Sequence, residues 1–125
     1  MEYFSTRDTS VRISASEAIS KGLAPDGGLF VPAELPLVTS KALSELLPLG
    51  YGERAKRILS MYLPEYSPDE LDKLVANSYG LNFDTSSIAP VHFTDEATGY
   101  LELWHGPTSA FKDMALQMLP HLLPP

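Results

Sequence analysis

The sequence contains no cysteine. Disulfide staples, thiolate nucleophiles and cysteine-based zinc sites are therefore excluded, and a reducing compartment fits the composition. Basic charge is also scarce: 9 Lys and Arg stand against 16 Asp and Glu, a formal charge of −7, and the bases are scattered along the chain. Phosphate backbones are held by clustered cations, so nucleic acid is not expected as a partner. No apolar run approaches the roughly 20 residues that cross a bilayer, and the opening Met1-Glu2-Tyr3-Phe4 lacks the basic and apolar regions of a signal peptide. A cytoplasmic chain without a membrane partner is the resulting expectation. Histidine is sparse as well. His92, His105 and His121 lie too far apart for a local metal motif, so no metal site is expected and surface or capping roles are assigned to all three.

What is present is an ordinary mixture, 44% hydrophobic and 20% charged over 125 residues, which supplies material for one small core. The 11 Pro and 8 Gly divide it into short elements. A strand is expected around Tyr3 to Thr6, followed by a helix capped by Ser14 or Ser16 that runs through Ile19 and stops at Gly22. Pro25-Asp26-Gly27-Gly28 reads as a β-turn leading into a strand Leu29-Phe30-Val31 closed by Pro32. Thr39 or Ser40 caps a helix carrying Leu43, Leu46 and Leu47, and a further helix from about Glu53 to Tyr62 presents Ala55, Ile58, Met61 and Tyr62.

The clearest helix start is Ser67-Pro68-Asp69-Glu70, which combines an N-cap serine, a proline in the first helical position and a capping-box glutamate. Leu71, Leu74, Val75 and Ser78 follow on one face until Gly80. Beyond Phe83 the period changes to two: Val91-His92-Phe93 and Tyr100 to Trp104 flank the polar turn Asp95 to Gly99, a hairpin pattern. A domain boundary is expected near Ile88 to Pro90, dividing the chain into 1–88 and 89–125.

Chemistry concentrates in Glu102 to Gln117, ELWHGPTSAFKDMALQ. Thr108 or Ser109 is expected to cap a helix with Phe111, Met114, Ala115, Met118 and Leu122 on its buried face, which Pro120 must kink or end near Met118 or Leu119. Lys112 then sits in the first turn, where a helix start carries roughly +0.5 elementary charge and favours an amine over an ammonium. Asp113 either opposes that effect by facing the amine or complements the dipole as an ordinary helix-start acid. On these grounds alone Lys112 reads first as a solvated surface lysine, ahead of a reactive amine.

Three segments carry a resemblance. His105-Gly106-Pro107-Thr108-Ser109-Ala110-Phe111-Lys112-Asp113 resembles the pyridoxal-phosphate attachment segment of threonine synthases. Tyr3-Phe4-Ser5-Thr6-Arg7 and Gly22 to Pro32 look like that family's amino-terminal elements, in the same order. The resemblance implies an α/β fold of mixed α+β type, the helix-rich amino-terminal module of a fold-type-II pyridoxal enzyme with a small open sheet. Residues 1–88 would be the amino-terminal domain and 89–125 the start of the catalytic domain. It implies pyridoxal 5′-phosphate as cofactor, held covalently by Lys112, which also moves protons between substrate carbons. The implied reaction is a carbon–oxygen lyase reaction that converts the small molecule O-phospho-L-homoserine and water to L-threonine and phosphate, by γ-elimination and β-addition of water.

The family's glycine-rich phosphate loop has no counterpart in these 125 residues, because Gly27-Gly28 stands alone before a strand. The chain is accordingly expected to be a fragment, truncated within the catalytic domain and inactive alone. The alternative is a non-catalytic folding or interaction module. A different fold-type-II enzyme, such as a deaminase, is disfavoured by the Gly22 to Pro32 element.

Overall fold

Serine and threonine set the helix starts in the computed structural model, which describes residues 1–123. Ser14 caps α1 (Ala15–Lys21) in a reciprocal capping box with Glu17, and Gly22 ends it. Thr39 accepts the Ala42 amide at the start of α2 (Ser40–Leu46). α3 (Tyr51–Tyr62) begins two residues earlier than the glycines suggested, with Gly50 in the cap position and no side-chain cap. α4 (Pro68–Ser78) carries the Ser67–Glu70 capping box with Pro68 opening the first turn. Satisfying the otherwise unpaired first-turn amides in this way is worth about 1 kcal/mol per cap.

The two amino-terminal resemblance segments pack on each other. β1 (Tyr3–Ser5) pairs antiparallel with β2 (Phe30–Pro32), placing Tyr3 opposite Pro32 and Ser5 opposite Phe30. The turn between Ala24 and Gly27 is locked from the β1 side. The Ser5 hydroxyl donates to Asp26 Oδ1 at 2.7 Å, the Gly28 amide donates to the same oxygen at 2.8 Å, and Arg7 donates to the Asp26 carbonyl at 3.0 Å. A Cβ on Gly28 would lie 2.1 Å from Ser5 Oγ, so glycine is demanded there by close approach. What reads as a plain β-turn is thus a side-chain-clamped corner.

The core lies where α1, α3 and α4 meet. Ala15, Leu63 and Leu71 form one buried cluster, with Leu59, Tyr62 and Tyr66 against it; Leu74, Val75 and Met118 form a second. The face of α4 matches the expectation in full, since Leu71, Leu74, Val75 and Ser78 are all buried and the Ser78 hydroxyl is satisfied by the Leu74 carbonyl at 2.7 Å. On α3 the packed stripe is Ala55, Leu59 and Tyr62, whereas Ile58 is exposed. The expected face shares Ala55 and Tyr62 with this stripe, and Leu59 packs where Ile58 was expected, a choice that sequence spacing alone did not resolve. On α2, Leu46 is buried while Leu43 and Leu47 face solvent.

After α4 the chain turns at Gly80 and reaches a hairpin. β3 (Val91–Phe93) pairs with β4 (Gly99–Leu101), Val91 opposite Leu101 and Phe93 opposite Gly99, and all six residues are exposed. β4 is shorter than the run to Trp104 suggested, although the Glu102 amide still donates to the Pro90 carbonyl at 2.9 Å. Ile88, buried just before β3, has φ 61°, a left-handed conformation that a β-branched residue adopts only at a cost of roughly 1–3 kcal/mol.

The chain then returns to the helices. α5 (Asp113–Leu116) and α6 (Leu119–Leu122) replace the single helix anticipated, with the break before Pro120, which lies in the first turn of α6. Three long-range hydrogen bonds fasten this segment to α4 and its flanks. Tyr66 donates to the Leu122 carbonyl at 3.1 Å, Tyr79 to the Met114 carbonyl at 2.6 Å, and Asn82 Nδ2 to Gln117 Oε1 at 3.0 Å. Burial and the adjoining Tyr51 push the Tyr79 phenol up to about 12, so it is a donor across the physiological range. The architecture is a mixed α and β fold, helix-rich with two small two-stranded sheets. Among the described residues no helix is long and apolar enough to cross a membrane.

Candidate active site

The corner Gly106–Asp113 folds around a carboxylate. Asp113, which the sequence offered as a helix-start acid or a partner for the lysine, is fully buried, at 0% exposure. It accepts from the Thr108 amide at 2.9 Å and from the Thr108 hydroxyl at 2.9 Å, while Gln117 Nε2 stands 3.5 Å away. Burial pushes its carboxyl upward. The Thr108 main chain and hydroxyl, the Ala110 main chain and Gln117 outweigh that and hold it below the usual aspartate value.

Thr108 therefore does the reverse of the capping expected of it: it donates to a later carboxylate instead of accepting first-turn amides. Ser109, the other candidate cap, sits at φ 55° and donates its amide to the Gly106 carbonyl at 3.1 Å, so regular helix cannot start there. The corner closes tightly enough that a Cβ on Gly106 would come within 2.5 Å of the Asp113 Cβ and 2.6 Å of its Oδ2.

Lys112 occupies the residue before this buried carboxylate and is exposed. It takes the N-cap position of α5 with helical dihedrals, and its carbonyl accepts the Ala115 and Leu116 amides at 3.0 and 2.8 Å. α5 is a single turn, so few peptide dipoles add at its start and the helix-dipole argument for Lys112 loses most of its force. The lysine is presented instead by the turn beneath it: Asp113 is drawn inward and Lys112 is left facing solvent. Phe111, expected on the buried face, is 68% exposed, whereas Met118 is buried and Leu122 packs against both core clusters.

His105 opens the corner and is not the bland surface residue anticipated. Its Nδ1 lies 2.5 Å from Asp84 Oδ1 and its Nε2 2.7 Å from Glu102 Oε2. Glu102 first, then Asp84, raise its pKa above the ordinary histidine value. The Asp84 amide also donates to the His105 carbonyl at 3.0 Å. Two residues that carry the geometry, His105 and Asp113, were thus missed as such. The available signal was the order His-Gly-Pro-Thr followed by an acid: a glycine able to admit a side chain, then a hydroxyl residue that can donate to it.

Among the described residues no group of three or more His, Asp and Glu side chains is arranged to hold a metal ion. For a pyridoxal group, the chemistry of the donor set fits attachment, since Lys112 is an exposed primary amine on a fixed turn.

The comparisons with known proteins bear on the whole chain. The family described as "Threonine synthase N terminus" matches residues 2–79. The chain belongs to the threonine synthase family. Threonine synthase from Schizosaccharomyces pombe is 44% identical over 124 residues, which cover 98% of this chain and 24% of that protein. Threonine synthase-like 1 from Homo sapiens is 40% identical over 92% of this chain and 16% of its own length. The solved structure of PLP-bound threonine synthase from Brucella melitensis superposes with a TM-score of 0.93 at 36% identity, over 98% of this chain and 26% of that one. The yeast threonine synthase structure gives 0.84 at 36% identity. The chain thus spans about a quarter of the length of the threonine synthases it matches.

Proposed function

We propose that this chain is the amino-terminal part of a pyridoxal-phosphate-dependent threonine synthase, with Lys112 as both the cofactor-attaching and the catalytic lysine. The parent reaction is a carbon–oxygen lyase reaction converting O-phospho-L-homoserine and water to L-threonine and phosphate. The observation that carries the reading is the Asp113-locked corner, which holds Lys112 exposed on a fixed turn within a chain of this family. Pyridoxal phosphate, when bound, supplies an aldehyde that an amine can capture and a pyridine ring that spreads carbanion charge. Lys112 would hold that group through its Nζ, and the same amine would serve as the base and acid that carries protons between substrate carbons.

Within the chain the division of labour follows residues 1–88 as the amino-terminal domain and 89–125 as the opening of the catalytic domain. None of its residues forms a glycine-rich phosphate cradle, so turnover needs groups from outside these 125 residues and the chain alone is inactive. A cytoplasmic setting, with a small molecule rather than nucleic acid or a lipid surface as its ligand, completes the proposal.

Incubation with pyridoxal phosphate, borohydride reduction and peptide mapping tests the role of Lys112. The expected adduct is concentrated on Lys112 over Lys21, Lys41, Lys56 and Lys73. Even labelling across the lysines would favour the other reading, a non-catalytic module in which Lys112 is a surface charge.

A further inference from the structure

We propose that His105, donating from both ring nitrogens at once, is the positioning residue that fixes the Gly106–Asp113 corner and with it Lys112. An ionised carboxylate only accepts hydrogen bonds, and a neutral imidazole carries one N–H. With Asp84 Oδ1 at 2.5 Å from Nδ1 and Glu102 Oε2 at 2.7 Å from Nε2, both contacts are satisfied together only by the imidazolium.

The clamp joins three separate pieces of chain: the turn after α4 through Asp84, the extension of β4 through Glu102, and the corner itself through His105. Asp84 is bonded to His105 twice, once through its side chain and once through its amide to the His105 carbonyl. The next residue, Gly106, packs directly against Asp113 and accepts the Ser109 amide. Little slack separates the ring from the turn that presents Lys112.

The ionisable groups facing the ring are Asp84, from the turn after α4, and Glu102, from the β4 extension. Trp104 lies beside it with ring centroids 5.5 Å apart and contributes no charge. Two carboxylates facing one ring favour its protonated form, Glu102 first and then Asp84, and so raise its pKa above the ordinary histidine value. A histidine with a raised folded pKa contributes its stability in full below the ordinary value near 6.5, and that contribution is lost as pH rises through the raised value. Above that value one of the two contacts must break, and the corner loosens at its first residue.

The bearing of this clamp on catalysis rests on the reading of Lys112 given above, whereas the clamp itself can be read without cofactor. Ring-nitrogen NMR of the chain reports the protonation of His105 directly, while the amide signals of Thr108, Ser109 and Lys112 report the corner. The expected result is a doubly protonated His105 ring at pH 6, with a titration midpoint above 6.5 that the three amides share.

Glu102→Gln, which keeps the shape and removes one charge, should weaken proton binding about tenfold and move ring and amide midpoints down together. A singly protonated ring at pH 6 would overturn the proposal. So would amides that ignore the ring's midpoint, or a midpoint unmoved in Glu102→Gln while the amide spectrum stays dispersed. Should that variant lose its dispersed spectrum, the wild-type titration of ring and amides decides alone. Even labelling of the lysines alongside an intact shared midpoint would sink the role of Lys112 and leave the clamp standing.

Discussion

The α1–α3–α4 platform and the β3–β4 hairpin are built from similarly apolar sequence, and only the first has buried it. On the platform, Leu71 and Leu74 are 2% and 4% exposed, because α3, α1 and the returning α5–α6 segment each cover part of the α4 face. On the hairpin, Val91, Phe93 and Leu101 share one face by register, yet Phe93 is 65% exposed and its neighbours are similar. A two-stranded hairpin with no covered face is marginal in water and is held here mainly by its ends, through Glu102 to Pro90 and the His105 clamp. The contrast teaches that amphipathic pattern specifies an element, while burial depends on a partner that pattern does not name.

The largest effect expected from breaking this contrast is on the platform. Leu74→Ala should destabilise the chain by about 3 kcal/mol in urea unfolding followed by circular dichroism, since it opens a cavity between Val75 and Met118. A loss as small as that of a surface substitution would mean that α4 is not the centre of the core. Next comes the corner that joins the two regions. Gly106→Ala drives a methyl into the buried Asp113 carboxylate and should cost about 2 kcal/mol, with the amide signals of Thr108 and Ser109 moving most.

Ser67→Ala removes the α4 cap and half of its capping box, for about 1 kcal/mol in the same unfolding assay. The smallest effect belongs to the hairpin: Phe93→Ser should change stability by no more than about 0.5 kcal/mol, because the ring has little burial to lose. A large loss there would show that the hairpin face is covered in solution and would collapse the comparison.

Legibility in the sequence follows the same division. The capping box at Ser67, a serine cap at Ser14 or Ser16 and the four-residue face of α4 were readable because a cap and its helix are local, and a long apolar stripe fixes its own phase; that Ser14 closes a capping box with Glu17 was not. The α3 stripe was misread by one position, with Ile58 in place of Leu59, because both residues are apolar and only the packing of Tyr62 and Ala55 selects between them.

At the candidate site the periodicity of Phe111, Met114, Ala115, Met118 and Leu122 pointed to one helix. Two short turns stand there instead, since Ser109 is left-handed and Thr108 spends its donors on Asp113. Lys112 was expected inside the first helical turn and stands instead at the N-cap of α5; the buried acid beneath it was not legible, because burial of a carboxylate depends on donors that sequence order alone does not aim. His105 was passed over for the same reason, its two carboxylates lying 21 and 3 residues away.

The central claim is that the Asp113-locked corner makes Lys112 the cofactor lysine, and lysine-by-lysine quantification of borohydride-fixed pyridoxal phosphate in the chain and in its Gly106→Ala variant tests it most directly. The account predicts an adduct concentrated on Lys112 in the parent chain and an even spread over the five lysines in a variant whose helical circular dichroism is retained. An identical distribution in the two proteins, or no preference for Lys112 in the parent chain, would contradict it.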